Sequence, residues 1–216
     1  MDFNFIYNNI YVYYEALLLT LKISFFGILF STIIGIFLSL VLYYNIKILK
    51  TITNIYIEIS RNTPLLIQLV FLYYGLPKII NIKLESDTTA IIGLTFLGAS
   101  YMCETFRSSL QSIEKIQIES ALSLGLSKVE IIRYILLPLA FSISIPSFSA
   151  NIIFLIKETS VVTVIALADL MYVTNNIIGN YYKTNEALFL LVSAYLVVLL
   201  PISLFFSYLE KRLRYV

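Results

Sequence analysis

Lys157 and Glu158 stand between two apolar runs, one ending at Ile156 and the other covering Val161 to Leu167. That setting puts two opposite charges at membrane depth, where each costs about 2.5–3.5 kcal/mol even on the lenient insertion scale. Such residues face a bundle interior, a partner charge or a water-filled path. Two readings stay open here: an ion pair that fixes packing, or a polar lining for a zwitterionic solute. Glu104 poses the same choice, although Arg107 follows three residues later on the same helix face and offers a local partner. Lys22, near the outer, N-terminal end of the first apolar run, can snorkel to an interface.

Other chemistries are excluded by composition. The 216 residues contain no His and one Cys, Cys103, which removes Ser/His/Asp and Cys/His catalytic sets, Cys/His metal sites and an internal disulfide framework. No G-x-x-x-x-G-K-[ST] phosphate loop is present, so the chain is not its own P-loop motor. A formal charge of +2 gives no support for nucleic-acid binding.

The elements that position these residues follow from hydropathy. Hydrophobic residues make up 59% of the chain and charged residues 13%, against about 45–50% and about 25% in soluble domains. A span needs about 20 mostly apolar helical residues. Such runs lie at Ala16 to Tyr44, within Ile52 to Leu76, Ala90 to Leu110 and Leu136 to Ile156, and at Ala187 to Tyr208. No period-2 alternation holds over these lengths, so the expected fold is an all-α membrane protein of about five transmembrane helices. The first run lacks a basic start and a cleavage site, and is too long for a signal peptide. Pro146 and Pro201 should kink their helices, while Gly27, Gly35 and Gly93 should allow close helix contacts.

Basic residues set the expected orientation. Lys47 and Lys50 follow the first run; Arg107, Lys115, Lys128 and Arg133 lie between the third and fourth; Lys211, Arg212 and Arg214 follow the fifth. The opposite side holds chiefly Lys78, Lys83 and Lys183. The positive-inside rule then places the N-terminus outside and the C-terminus in the cytoplasm.

Between the third and fourth runs the chain is polar and patterned as two short helices. Ser112 is placed to cap the first, Gly125 to end it, and Ser127-Lys128-Val129-Glu130 to form a capping box for the second, which Pro138 should interrupt. This cytoplasmic hairpin would pack one face on protein or lie on the lipid surface.

Glu119-Ser120-Ala121-x3-Gly125-x9-Ile135-x-Leu137-Pro138 resembles the EAA loop of binding-protein-dependent ABC importer permeases, with Ser120 in place of the usual Ala. The resemblance implies that Glu119, Ser120, Ala121, Gly125, Ile135, Leu137 and Pro138 couple this chain to a cytoplasmic ATPase dimer, with Gly125 giving the turn and Glu119 and Ala121 at the contact. It implies that residues 1–216 form a single type-1 transmembrane domain. ATP and magnesium would be used by the ATPase, with no cofactor on this chain. An extracytoplasmic solute-binding protein and a second permease subunit, a copy or a homologue, would complete the complex in the bacterial cytoplasmic membrane.

Arg61-Asn62-Thr63-Pro64-Leu65-Leu66-Ile67-Gln68, running on to Gly75-Leu76-Pro77, is similar to a segment of the polar amino-acid uptake permeases, with Asn62 for the usual Gly. Read without that likeness, Thr63 is an N-cap, Pro64 a first helical residue and Pro77 a stop signal. Lys157-Glu158-Thr159-Ser160-Val161-Val162 is also similar to that group's Lys-Asp-Thr-Ser-Leu-Val run. The resemblance implies a pathway for a polar amino acid, with Arg61, Thr63, Gln68, Glu104, Lys157, Glu158, Thr159 and Ser160 as candidate lining residues. An ABC importer for another solute, an ion-coupled secondary transporter and a non-transporting scaffold are the competing classes.

Overall fold

The first apolar run begins earlier than hydropathy suggests, because Asp2 accepts the amide of Phe5 through Oδ1 at 3.1 Å and starts a helix there. In the computed structural model, which describes residues 1–213, eight helices succeed one another; Arg214 lies outside the described residues. They are α1 (Phe3–Tyr43), α2 (Lys47–Asn62), α3 (Leu65–Ile80), α4 (Ser86–Gln111), α5 (Lys115–Ser123), α6 (Lys128–Ile165), α7 (Leu170–Tyr181) and α8 (Thr184–Leu213). There is no strand among the described residues. Helices α1, α4, α6 and α8 are each long and apolar enough to cross a membrane, and α2 with α3 makes a fifth candidate passage bent by 103°.

The bend falls at Thr63-Pro64, in the second apolar run. Pro64 supplies no amide hydrogen and pushes Thr63 out of the helical region, to φ −110° and ψ 124°. Thr63 is therefore not an N-cap: no side chain caps α3. Gln68 holds the break instead, its Nε2 donating to the carbonyls of Ser60 and Thr63, both at 2.9 Å.

Neither Pro77 nor Pro138 stops its helix. Each is preceded by a five-residue π-turn, Phe71–Gly75 and Ile132–Leu136, in which the amide of Leu76 bonds Phe71 O and that of Leu137 bonds Ile132 O. A wider turn takes up the carbonyls that the missing proline amide would leave open. Both follow the pattern Tyr-x-x-Leu-Pro, at Tyr73 and Tyr134. Pro146 and Pro201 also lie inside continuous helices.

The central packing is a row of small residues on α1, Gly27, Ser31, Gly35 and Ser39, laid against α4. A methyl group on Gly35 would stand 2.5 Å from Met102 Cβ and 2.9 Å from the Cys103 amide nitrogen, so only Gly lets the backbones meet. Gly93 makes the same allowance for Leu69 of α3. Around this seam a core of Ile23, Leu94, Met102, Leu155 and Val162 fills the middle of the molecule. A second core, including Tyr13, Leu170 and Ala187, joins α1, α7 and α8 at the far end. A third lies under the α5–α6 hairpin.

Candidate coupling hairpin and polar cavity

The hairpin is built from local rules. Ser112 closes α4, its Oγ donating to Ser109 O at 2.7 Å, and Glu114, with no side-chain cap, starts α5; the cap expected at Ser112 does not form. At the other end of α5, Gly125 takes φ +81°. Its amide bonds Leu122 O at 2.9 Å and that of Leu126 bonds Ala121 O at 3.2 Å, the paired bonds of a Schellman motif. Ser127 and Glu130 then form the expected capping box, with Ser127 N donating to Glu130 Oε2 at 2.8 Å.

The two faces of the hairpin differ. Ala121 is 2% exposed and packs with Ile113, Ile131, Leu136 and Ala140, so it anchors the hairpin to its own chain and does not sit at an outer contact. Ile135 and Leu137 are half-buried, whereas Glu119, Ser120 and Pro138 are exposed. Ile116, Leu124 and Val129 point outward, 64%, 81% and 72% exposed, in an otherwise polar segment. Apolar side chains left uncovered there mark a contact surface for protein or lipid.

The candidate lining residues divide into three groups. Arg61 and Glu104 come together in a cavity of about 520 Å³ between α2 and α4, along with Arg107 and, from α2, Lys50, Asn54 and Glu58. Glu104 is held by Arg107 through two bonds, Nη2 to Oε2 at 2.7 Å and Nε to Oε1 at 3.1 Å. The Arg61 guanidinium lies 5.1 Å from the centre of the Tyr101 ring. Thr63 and Gln68 sit apart, at the α2–α3 break, where Gln68 is buried and bonded to backbone.

Lys157 and Glu158 form the third group, with Thr159 and Ser160. Among the described residues no ion pair within 4.0 Å joins Lys157 to Glu158 or either one to another charge. Lys157 is exposed and Glu158 half-buried at the end of the long helical stretch Leu137–Glu158. Thr159 is buried, its Oγ1 donating to Ile156 O at 2.6 Å as α6 tightens into the 3₁₀ turn Thr159–Ile165. Ser160 is half-buried.

The sequence profile of the family described as "Binding-protein-dependent transport system inner membrane component" matches residues 4–215. The chain belongs to this family. Among relatives, the glutamine transport system permease protein of Escherichia coli (strain K12) is 30% identical over 214 residues, 99% of this chain and 98% of that protein. A probable amino-acid ABC transporter permease protein of Vibrio harveyi is 33% identical over 172 residues, 79% of this chain and 77% of its own length. In structure, one chain of an amino acid ABC transporter solved with histidines superposes with a TM-score of 0.88 at 29% identity, covering 98% of this chain and 99% of that one. The inward-facing methionine transporter, at 20% identity and a TM-score of 0.79, shares the fold.

This importer permease adds Asn54 and Glu58 to the polar residues legible in sequence. With Lys50 and Arg61 they recur at three- and four-residue spacing along α2. That helical period of polar residues is the signal for them, and it is obscured when the second apolar run is read from Ile52 through the Thr63-Pro64 break.

Proposed function

We propose that this permease forms half of a translocation pathway for a polar amino acid in the bacterial cytoplasmic membrane, paired with a copy of itself or a homologue. The α5–α6 hairpin lies in the cytoplasm and docks on one subunit of an ATPase dimer, which binds the ATP and magnesium. The observation that carries this reading is the hairpin's exposed apolar face, Ile116, Leu124 and Val129, held rigid from behind by Ala121 and the Gly125 turn. Nucleotide-driven closure of the ATPases would push that face, and α6 is continuous with it through the π-turn at Ile132–Leu136. The amino-acid assignment draws on the named relatives and on the opposite charges around Arg61 and Glu104.

An extracytoplasmic binding protein would deliver the solute at the α7–α8 end, where Tyr181 and Tyr182 are 59% and 87% exposed. Residues 1–216 act as one transmembrane domain in this scheme, with the N-terminus outside. The test is ATP hydrolysis by the lipid-reconstituted complex of permease, ATPase and binding protein across the standard amino acids. Stimulation by a polar amino acid, lost in Gly125→Lys, supports the assignment. Stimulation by an unrelated solute alone removes the amino acid and keeps the importer. A chain that assembles with no ATPase ends the proposal.

A further inference from the structure

Helix α2 has three faces. Thr53, Ile57 and Ser60 are buried, with Ser60 Oγ 2.9 Å from Phe96 O and 3.1 Å from Ser100 Oγ near the middle of α4. Ile48, Ile52, Ile55 and Ile59 form an exposed apolar row. Lys47, Lys50, Asn54, Glu58 and Arg61 form an exposed polar row. Within a bilayer such a polar row is stable only against water or protein. It starts at the hairpin end, beside the end of α1, and reaches mid-span where Ser60 meets Ser100. A cavity of about 520 Å³ lies beside Lys50, Asn54, Glu58 and Arg61, so open space and not packed protein of this chain faces the row, which makes a wet path toward the hairpin side.

Its upper end has an unusual charge arrangement. Glu58 and Arg61 are three residues apart on one helix, the spacing at which Glu104 and Arg107 close to 2.7 Å. Yet Glu58 and Arg61 do not come within 4.0 Å of each other. Glu58 instead accepts from Asn62 Nδ2 at 2.9 Å, and Arg61 lies over Tyr101. Both line the cavity of about 520 Å³, within the range of small-molecule sites. Two opposite charges that could pair and do not, on one wall of one cavity, match the two poles of a zwitterion.

We propose that this cavity holds the transported amino acid on the hairpin side of the membrane, with Arg61 taking its α-carboxylate and Glu58 its α-ammonium group. The proposal rests on the amino-acid importer reading above. Glu104 stays bound to Arg107 and acts as a wall, so α2 supplies the recognition and the ion pair of α4 keeps the cavity open.

The test uses the complete complex in vesicles with the hairpin side outward, and a charged maleimide that does not cross the membrane. The one native cysteine, Cys103, is buried, so an introduced cysteine reports by itself. Asn54→Cys, which leaves Glu58 and Arg61 intact, should label at least tenfold faster than Ile55→Cys on the apolar row. The amino acid that best stimulates ATP hydrolysis should slow Asn54→Cys labelling at least threefold. Its carboxamide and its N-acetyl derivative, each lacking one charge, should not, and adding Arg61→Gln should abolish the protection. Equal labelling of the two rows overturns the wet path. Absence of protection by that amino acid, or equal protection by its derivatives, overturns the zwitterion site while the importer stands. Failure of every amino acid to stimulate hydrolysis by the unsubstituted complex removes the amino-acid reading, and this proposal with it.

Discussion

At Gly125 a single backbone torsion decides how the hairpin turns. Its φ of +81° lies where L side chains are strained, and no atom lies within 4 Å of a Cβ added there. Steric crowding is therefore not the issue, and the cost of substitution is conformational, about 1–2 kcal/mol. Gly125→Asn, which tolerates the left-handed region, should keep most of the coupled hydrolysis, while Gly125→Ala should lose more of it. Comparing substrate-stimulated with basal ATP hydrolysis in the two variants checks this. Glu104 offers a second residue-level expectation. Glu104→Gln would leave the Arg107 guanidinium without its two-bond partner, and because both side chains are partly exposed on the wall of a wet cavity the loss should be about 0.5–1 kcal/mol. It should appear as a lower melting temperature of the purified permease, with the α5–α6 hairpin and ATPase assembly unaffected.

Between helices, close packing and buried caps set the outcome. Gly35 faces Met102 Cβ and the Cys103 amide, so Gly35→Ala must push α1 from α4 and should cost about 1–3 kcal/mol. Gly179, with open space around it, should accept Ala with much less effect on the same melting curve. Asp169 caps α7 by accepting the amides of Met171 at 3.2 Å and Tyr172 at 2.9 Å, yet the residue is fully buried. Burial pushes its carboxyl up from 3.8 to about 6 against those two bonds. The folded form thus holds its proton more tightly than the unfolded chain. The stabilisation is complete below about pH 4 and is lost as pH rises through 6. Asp169→Asn keeps the cap without the buried charge, so it should raise the melting temperature at pH 7.5 and change it little at pH 4. At the N-terminus the sign reverses: bonds from Phe5 N and Lys183 hold the half-buried Asp2 carboxyl below its usual value.

For the molecule as a whole, the exposed apolar face of the hairpin predicts dependence on a partner. Ile116→Asp combined with Leu124→Asp changes two side chains that are 64% and 81% exposed, so the permease itself should fold with an unchanged melting temperature. Its co-purification with the ATPase should fall at least tenfold. Unchanged assembly would mean that the uncovered face serves something other than the ATPase. The long helix α1 bears on the same scale, since 41 residues at about 1.5 Å each reach about 60 Å, twice a hydrocarbon core of about 30 Å. Either α1 tilts steeply or its first turns stand outside the membrane, where Asp2 is tied to Lys183 at 3.0 Å.

The sequence by itself determined what depends on neighbours in the chain. The apolar runs became helices because hydrocarbon forbids an unbonded backbone, and their existence follows from composition. The Gly125 turn and the Ser127–Glu130 box are local hydrogen-bond motifs, so residue type and spacing were enough. The EAA-like spacing pointed to the family that the profile match then established. Pro77 reads as a stop yet its helix runs on, because a π-turn absorbs the missing amide, an outcome that residue type does not specify; at Pro138 the expected interruption of the ladder takes the same π-turn form. Ser112 serves the end of α4 and not the start of α5, since a hydroxyl suits either role and residue type does not choose between them. Only the tertiary structure decided that Ala121 points inward, that Gln68 clamps a broken helix and that Arg61 and Glu104 share a cavity. Those facts depend on how α2, α4 and α6 are rotated about their axes. Rotation is fixed by contacts between residues far apart in the chain, such as the fit of Gly35 against Met102.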